Sequence, residues 1–321
     1  MIDWKKYDQI YKHYSYPKIF KEIEGLANRL DNPFEKKSKR GRKFKISPVK
    51  YASYIVFEIV TGNHPYRDME LGSELYVDNH IDHSTLHKNF LRIPYDYLVR
   101  LLEATAKLLE SLLGNAFAYL ADSTGIRTKI YYDSQYQGKA IRRLLDYKLH
   151  TLVGYYPDKA ITYVKSGIGS DKHTSDAKGA SIMLGSYDLD WAYFSADSGY
   201  DFECAHKAIK EKGLSPLVKP RKNKVNRAKI TAKHREWFSE RLYRALRHII
   251  ETIFGGLENK GLLFTRNRRE DCINKYSLIT LIRHNLQTYF KLKVYIYLIN
   301  RQTRLHRKVY IVNKQKLVYI L

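Results

Sequence analysis

Two stretches of this chain close in the same way. Phe117 to Ala121 is a short apolar run that ends in Asp122-Ser123-Thr124-Gly125, and Ala192 to Ala196 leads into Asp197-Ser198-Gly199. A run of this length bounded by turn residues reads as a buried strand. The turn signals predict that each strand stops at its aspartate, which places the carboxylate at the mouth of a sheet, where α/β folds build their sites. Two such strands can set two carboxylates side by side. Like charges that close repel strongly unless a cation lies between them. A hard divalent ion with oxygen ligands, Mg²⁺ or Mn²⁺, suits that donor set. The competing reading is that Asp and Ser after a strand are turn formers or helix N-caps. For one copy that reading is the stronger. Two copies with one lead-in, on a very basic chain, favour a shared site, and Gly125 and Gly199 let the backbone turn just beyond each carboxylate.

The basic balance narrows the partner. The chain has 321 residues, enough for two domains or one elaborated one, and its formal charge is +24. Such an excess points to a polyanion, most often nucleic acid. AT-rich codons also inflate Lys and Tyr, and the 28 tyrosines fit that bias. Codon bias does not explain why the charge is clustered. One cluster is EKKSKRGRKFK at 35 to 45, where Arg40 and Arg42 flank Gly41; the other runs from Lys219 to Arg247. The first reads as a linker that touches phosphates, with insertion into a minor groove as the alternative. A hydrophobic content of 44% supports a full core and excludes a disordered tail. Two cysteines, Cys204 and Cys272, exclude a disulfide scaffold and a Cys-based zinc site. The N-terminus lacks an apolar signal region and no stretch reaches the length of a membrane span, so a cytoplasmic, nucleoid-associated protein is expected.

In chain order, a helix is predicted over Tyr16 to Leu30, ended by Asp31-Asn32-Pro33. Ser47-Pro48 opens a second helix that Gly62 can end. A third covers Tyr66 to Tyr76, and Ser84 can cap a fourth that carries Thr85, His87, Lys88 and Asn89 before Pro94. This series resembles a helix-turn-helix reader, or equally an ordinary small bundle. His80, His83 and His87 have helical spacing, but without a matching Cys or Glu a metal site there is not expected. Tyr95 to Leu113 is amphipathic, with Thr105 the one polar break in its leucine stripe. Asp146 to Tyr156 and Lys159 to Gly167 read as strands that form an antiparallel set of three with the Asp122 strand. Lys148 and His150 share one face of theirs, turned to DNA, to the metal or simply to solvent. An N-cap at Ser175 or Asp176, a helix over Phe202 to Lys212 and a strand over Ser215 to Val218 follow. On a helix from Glu240 to Phe254, Arg244, Arg247 and Glu251 lie three and then four apart. That stripe is either a surface ion pair of small value or a third metal-binding carboxylate beside phosphate-gripping arginines. Asp271 to Lys291 reads as helix, and VYIYLIN, KVYIVN and KLVYIL beyond it as strands.

Asp122, Asp197 and Glu251, separated by 75 and 54 residues, resemble the DDE transposases of insertion sequences. The matching stretches are ADST at 121 to 124, YKLH at 147 to 150, ADSGYD at 196 to 201 and RHIIETIFG at 247 to 255. Part of that family carries a Tyr three residues before the Arg and a Lys seven after the Glu. Here those positions hold Arg244 and Glu258, with Tyr243 and Lys260 nearby, so use of a hairpin intermediate stays open. The resemblance implies an α/β fold with an RNase H-like mixed sheet flanked by helices, behind an all-α, helix-turn-helix-like N-terminal region. The division it implies is 1–46 helix and basic linker, 47–94 DNA-end binding, 95–291 catalytic, and 292–321 basic, aromatic tail. It implies two Mg²⁺ or Mn²⁺ ions about 3.5–4 Å apart, with Asp122 bridging them and Asp197 and Glu251 each completing one. It further implies hydrolysis that frees a 3′-OH at the element end, then attack of that hydroxyl on target DNA. The partners implied are double-stranded DNA, as terminal inverted repeats and target, and a second copy of the chain. Lys148, His150, Arg244 and Arg247 are the candidates for holding phosphates, with Arg40, Arg42 and Lys88 for further DNA contacts. The rival expectations are an inactive DNA-binding remnant, an RNA binder of the ribosomal kind, and a structure-selective nuclease that cuts without joining.

Overall fold

The computed structural model describes residues 5, 8–9, 16–35, 43–136, 139–221, 238–259, 264–265 and 269–318; of these, 127–146, 159, 264–265 and 299–318 are described as backbone alone. The N-terminal part is all helix: α1 (Tyr16–Ala27), α2 (Pro48–Gly62), α3 (Tyr66–Val77), α4 (His83–Arg92) and α5 (Tyr95–Leu113). The helix starts follow local chemistry. Ser47 Oγ accepts from Lys50 N at 3.1 Å while Pro48 occupies the first turn, where no N–H is needed. At the other end of α2 the left-handed residue is Asn63 (φ 53°) and not Gly62. Gly62 leaves room for the His64 ring, which a Cβ there would meet at 2.0 Å and displace. The cap of α4 is Asp82, not Ser84, because the helix begins two residues earlier than expected and the Asp82 carboxylate reaches Ser84 N at 2.8 Å. Helix α2 is buried without a break from Tyr51 to Val60 and forms the axis around which the other N-terminal helices pack.

Beyond α5 come β1 (Ala118–Tyr136), β2 (Lys139–Tyr156), β3 (Ile161–Asp171), α6 (Asp176–Gly185), β4 (Tyr193–Ala196), α7 (Glu203–Glu211), β5 (Ser215–Val218), α8 (Glu240–Asn259), β6 (Phe264–Thr265) and α9 (Glu270–Val318). The sheet order is β3-β2-β1-β4-β5, with β6 also paired to β1. Strands β1, β2 and β3 are antiparallel neighbours, whereas β4 and β5 run parallel to β1. This is the RNase H-like mixed sheet, with helices against it. One expectation is corrected. Strand β1 does not stop at Asp122 but continues to Tyr136, because β2 supplies backbone partners along that length. What stops at Asp122 is the pairing with β4, whose last pair is Ala121 with Ala196.

The tail is also corrected. VYIYLIN and KVYIVN lie within α9, which also takes in the start of KLVYIL; residues 319–321 fall outside the described part. Their aromatic and β-branched content favours strand only weakly. Burial decides: Leu286, Phe290, Val294 and Leu298 recur every fourth residue and are buried, while Tyr295 and Tyr297 are exposed. Helix α9 packs on α5 and β3. Its Asn285 bonds both the N–H and the C=O of Val164, at 2.7 and 2.8 Å, and Thr105 Oγ1 at 3.0 Å. The polar break in the α5 stripe is therefore the partner of a buried amide. A single hydrophobic core runs from Phe20 to Leu292. Among the described residues no helix is long and apolar enough to cross a membrane.

Candidate active site

The two aspartates stand where adjacent parallel strands part. Ala121 opposite Ala196 is the last β1–β4 pair, and the next residue of each strand is Asp122 or Asp197. Asp197 opens a single 3-10 turn, Ser198–Tyr200, and its Oδ1 accepts from Gly199 N at 2.8 Å. Asp122 Oδ1 accepts from Ser123 N at 2.9 Å and its Oδ2 from Arg247 Nη1 at 2.8 Å. Arg247 reaches in from α8, and its Nε donates to Glu251 Oε1 at 3.0 Å. Helix α8 thus brings Glu251 within one guanidinium of Asp122.

Burial, above all, pushes the Asp122 carboxyl up to about 6; Arg247 and the Ser123 N–H oppose this, and Asp197 and Asp176 add to it. Tyr200 is fully buried, and among the described residues its hydroxyl has no hydrogen-bond partner. Its phenol is held far above the ordinary range, first by burial and then by Asp122, Asp176 and Asp197. Asp176 and Asp197 raise Asp122 by like charge, and carboxylate oxygens are the donors a hard divalent cation takes. Among the described residues the three predicted acids do not close to the separation of ligands on one ion, because Arg247 stands between Asp122 and Glu251.

The other sequence candidates separate. Lys148 and His150 share a face, and both turn toward Asp176. Lys148 Nζ lies 3.1 Å from Asp176 Oδ1 and 3.4 Å from Thr174 O. His150 is corrected as a phosphate contact. It is fully buried under α6, its Nε2 lies 3.0 Å from Ser170 Oγ, and burial lowers its pKa. It is buried because α6 closes on the ring at Gly179, where a Cβ would stand 2.6 Å from it. Arg244 pairs with Glu240 and is largely exposed. Lys88 is exposed on α4. Arg40, Arg42, Lys260 and residues 222–237 of the second basic cluster lie outside the described residues.

The histidine series finds carboxylates that spacing alone did not reveal. Glu70, Asp82 and His83 present ligand-type atoms within 4.8 Å of one another. His83 Nδ1 and His80 Nε2 lie 2.8 and 3.2 Å from the two Glu70 oxygens, fastening α3 to α4. Asp82 is already occupied as a helix cap, and His87 turns away to Tyr66.

Two residues of the acidic centre were not singled out from sequence, Asp176 and Tyr200. Asp176 was legible only as a possible helix cap, since nothing in its spacing ties it to Asp197. The ADSGYD stretch did contain a signal, because its last acid is structural. Asp201 is buried against His206 at 3.0 Å and accepts the Arg221 N–H at 2.8 Å. Arg221 Nε in turn donates to Ser198 O at 3.0 Å, bracing the turn that carries Asp197.

A mixed sheet in this order, with acids where its central parallel strands part, defines an RNase H-like protein. The transposase DDE domain family matches residues 118–282, more than half of the chain, and the protein belongs to that family. Members of this family generally use divalent metal ions and act on DNA. No curated protein matches the chain.

Proposed function

We propose that the protein is an insertion-sequence transposase that hydrolyses a phosphodiester at each element end and joins the freed 3′-OH to target DNA. In the first step the oxygen of water bonds to phosphorus and the P–O3′ bond breaks, with one water proton ending on the 3′-oxygen. In the second the 3′-hydroxyl is the nucleophile, one P–O bond replaces another, and the displaced target 3′-oxygen takes the proton. Asp122, Asp197 and Glu251 would hold two Mg²⁺ or Mn²⁺ ions, which supply charge relief on the phosphate and a more acidic nucleophile. Arg247 then exchanges its carboxylates for the substrate phosphate, a partner that its planar fork suits equally well. Lys148, held at the rim by Asp176, neutralises a neighbouring phosphate. Residues 47–94, with Lys88 exposed on α4, read the terminal repeat, Arg40 and Arg42 follow the backbone of the DNA, and residues 95–291 carry the chemistry. A homodimer brings two ends together.

The observation that carries the reading is the Ala121–Ala196 pair, which sets Asp122 and Asp197 on adjacent strands within the field of Arg247 and Glu251. The test is cleavage and joining of a labelled element end with Mg²⁺. The parent is expected to nick and then join, and Asp197→Asn to bind the end without nicking. Equal cleavage by both removes Asp197 from the site.

A further inference from the structure

Three acids were expected at this centre, and a fourth is present. Asp176 begins α6 but is not its cap; Ser175 is, with its Oγ accepting from Lys178 N. The Asp176 side chain instead turns to the sheet. Its Oδ1 accepts from Ser123 Oγ at 2.7 Å and from Lys148 Nζ at 3.1 Å, with His150 Nδ1 3.6 Å away. Its Oδ2 faces Asp197 across Gly199. A Cβ built on Gly199 would lie 2.9 Å from Asp176 Oδ2 and 3.0 Å from Asp197 Oδ1. Two carboxylates from different elements therefore flank one glycine, and among the described residues no hydrogen bond falls on Asp176 Oδ2.

An independent observation points the same way. Among the described residues the buried Tyr200 hydroxyl and the buried His150 Nδ1 both lack hydrogen-bond partners; His150 Nδ1 lies 3.6 Å from Asp176 Oδ1, and both groups feel the Asp176 charge. Buried polar groups are ordinarily hydrogen-bonded, so each of these two atoms calls for an explanation. A purely structural Asp176 would also have its like-charged neighbours neutralised by the protein alone. Among the described residues, Lys148 and Arg247 are the cations paired to Asp122, Asp176 and Glu251, with Asp197 in the same field, so acid exceeds base there.

We propose that Asp176 is a positioning residue of the metal centre, adding a fourth carboxylate to the divalent-ion site and holding Lys148 for a DNA phosphate. This rests on the transposase reading above. The role is indirect on both counts: Ser123 and Lys148 are fixed through Oδ1, and the charge near Asp197 comes from Oδ2.

The test is Mn²⁺ binding to the full-length protein, followed by electron paramagnetic resonance in the absence of DNA, for the parent, Asp176→Asn, Asp197→Asn and Ser123→Ala. Removing a partner outside the inner ligands of a metal commonly costs about 10–100-fold in affinity, and Asp176→Asn is expected to fall in that range. Ser123→Ala should lose less than Asp176→Asn, because Asp176 then keeps its charge and Lys148, and Asp176→Glu should recover part of the loss. In cleavage assays Asp176→Asn should also raise KM for the DNA end, since Lys148 is released. Mn²⁺ affinity unchanged in Asp176→Asn but lost in Asp197→Asn overturns the proposal and leaves the transposase reading intact. Affinity unchanged in both overturns the metal centre itself, and this inference with it. Should Asp176→Asn fail to fold by circular dichroism, Asp176→Ser carries the same expectation and the same overturning result.

Discussion

Arg247 and Asp122 lie 125 residues apart in the chain and are joined at 2.8 Å, with the same guanidinium bonded to Glu251 at 3.0 Å. One cation of the protein thus holds together two acids that a divalent ion would otherwise bind. On the proposed function, Arg247 would compete with the metal before DNA arrives and hold phosphate afterwards. Arg247→Gln should therefore bind Mn²⁺ more tightly than the parent without DNA, by about tenfold if the competing pair is worth about 1.4 kcal/mol. Its cleavage rate should nonetheless drop about 10²-fold, the typical cost of removing one preorganised donor. Titration and single-turnover cleavage measure the two effects, and a loss of both ion affinity and activity would make Arg247 a support for the carboxylates, not their competitor.

Gly199 is constrained by the acids on either side of it. In Gly199→Ala the new methyl meets Asp176 Oδ2 and Asp197 Oδ1 at about 3 Å, so at least one carboxylate must move. A displacement on the order of 1 Å in a preorganised site costs about 10²-fold in rate. Cleavage should fall by that factor while the melting temperature shifts by only a few degrees. A parent-like rate would show that the turn relaxes without disturbing Asp197.

Asn285 joins α9 to the edge strand of the sheet through two hydrogen bonds and to α5 through a third, all buried. Asn285→Ala removes its amide and leaves Val164 N–H, Val164 C=O and Thr105 without those partners. The expected destabilisation is about 2–4 kcal/mol, the range for breaking a buried polar network. Chemical denaturation should show a lower midpoint with an unchanged slope. Loss below about 1 kcal/mol would mean that water replaces the amide.

The tie between α3 and α4 predicts a pH dependence. The His83 ring, with the His83 backbone N–H, holds the Glu70 carboxyl below the usual carboxylate range, against its proximity to Asp82; His80 also faces Glu70, and Glu74 lies on the far side of His80. A carboxyl whose folded pKa is depressed stabilises the fold above its unfolded pKa and loses that contribution as pH falls through the folded one. Glu70→Gln should therefore melt lower than the parent at pH 6, with the gap closing as the medium becomes more acid than the usual carboxylate range. A gap independent of pH would assign the effect to packing.

Much of the fold was legible because short-range signals agreed with it. The Ser47-Pro48 start, the bounds of α5 and β5 and the set β1–β2–β3 follow from caps, periodicity and alternation. The failures share one cause, tertiary partners invisible to a local window. Turn residues after Asp122 are drawn into β1 by β2, and in α9 the strand-like Val294 and Leu298 are buried on a helical face. His150 looked like a polar surface position because period-2 spacing names a face and not what covers it; α6 covers it.

From the sequence alone came the pair of Ala-Asp-Ser stretches, the later Arg-x-x-x-Glu helix and the excess of positive charge. These suffice for the family because residue type and order along the chain are what a motif records. The folded chain alone decided that Arg247 lies between Asp122 and Glu251, that Asp176 joins Asp197 around Gly199, and that His150 is sealed beneath α6. Electrostatic coupling depends on distance in space and on exclusion of water. Neither can be read from separation along a chain whose site-bearing strands β1 and β4 pair parallel across a long crossover.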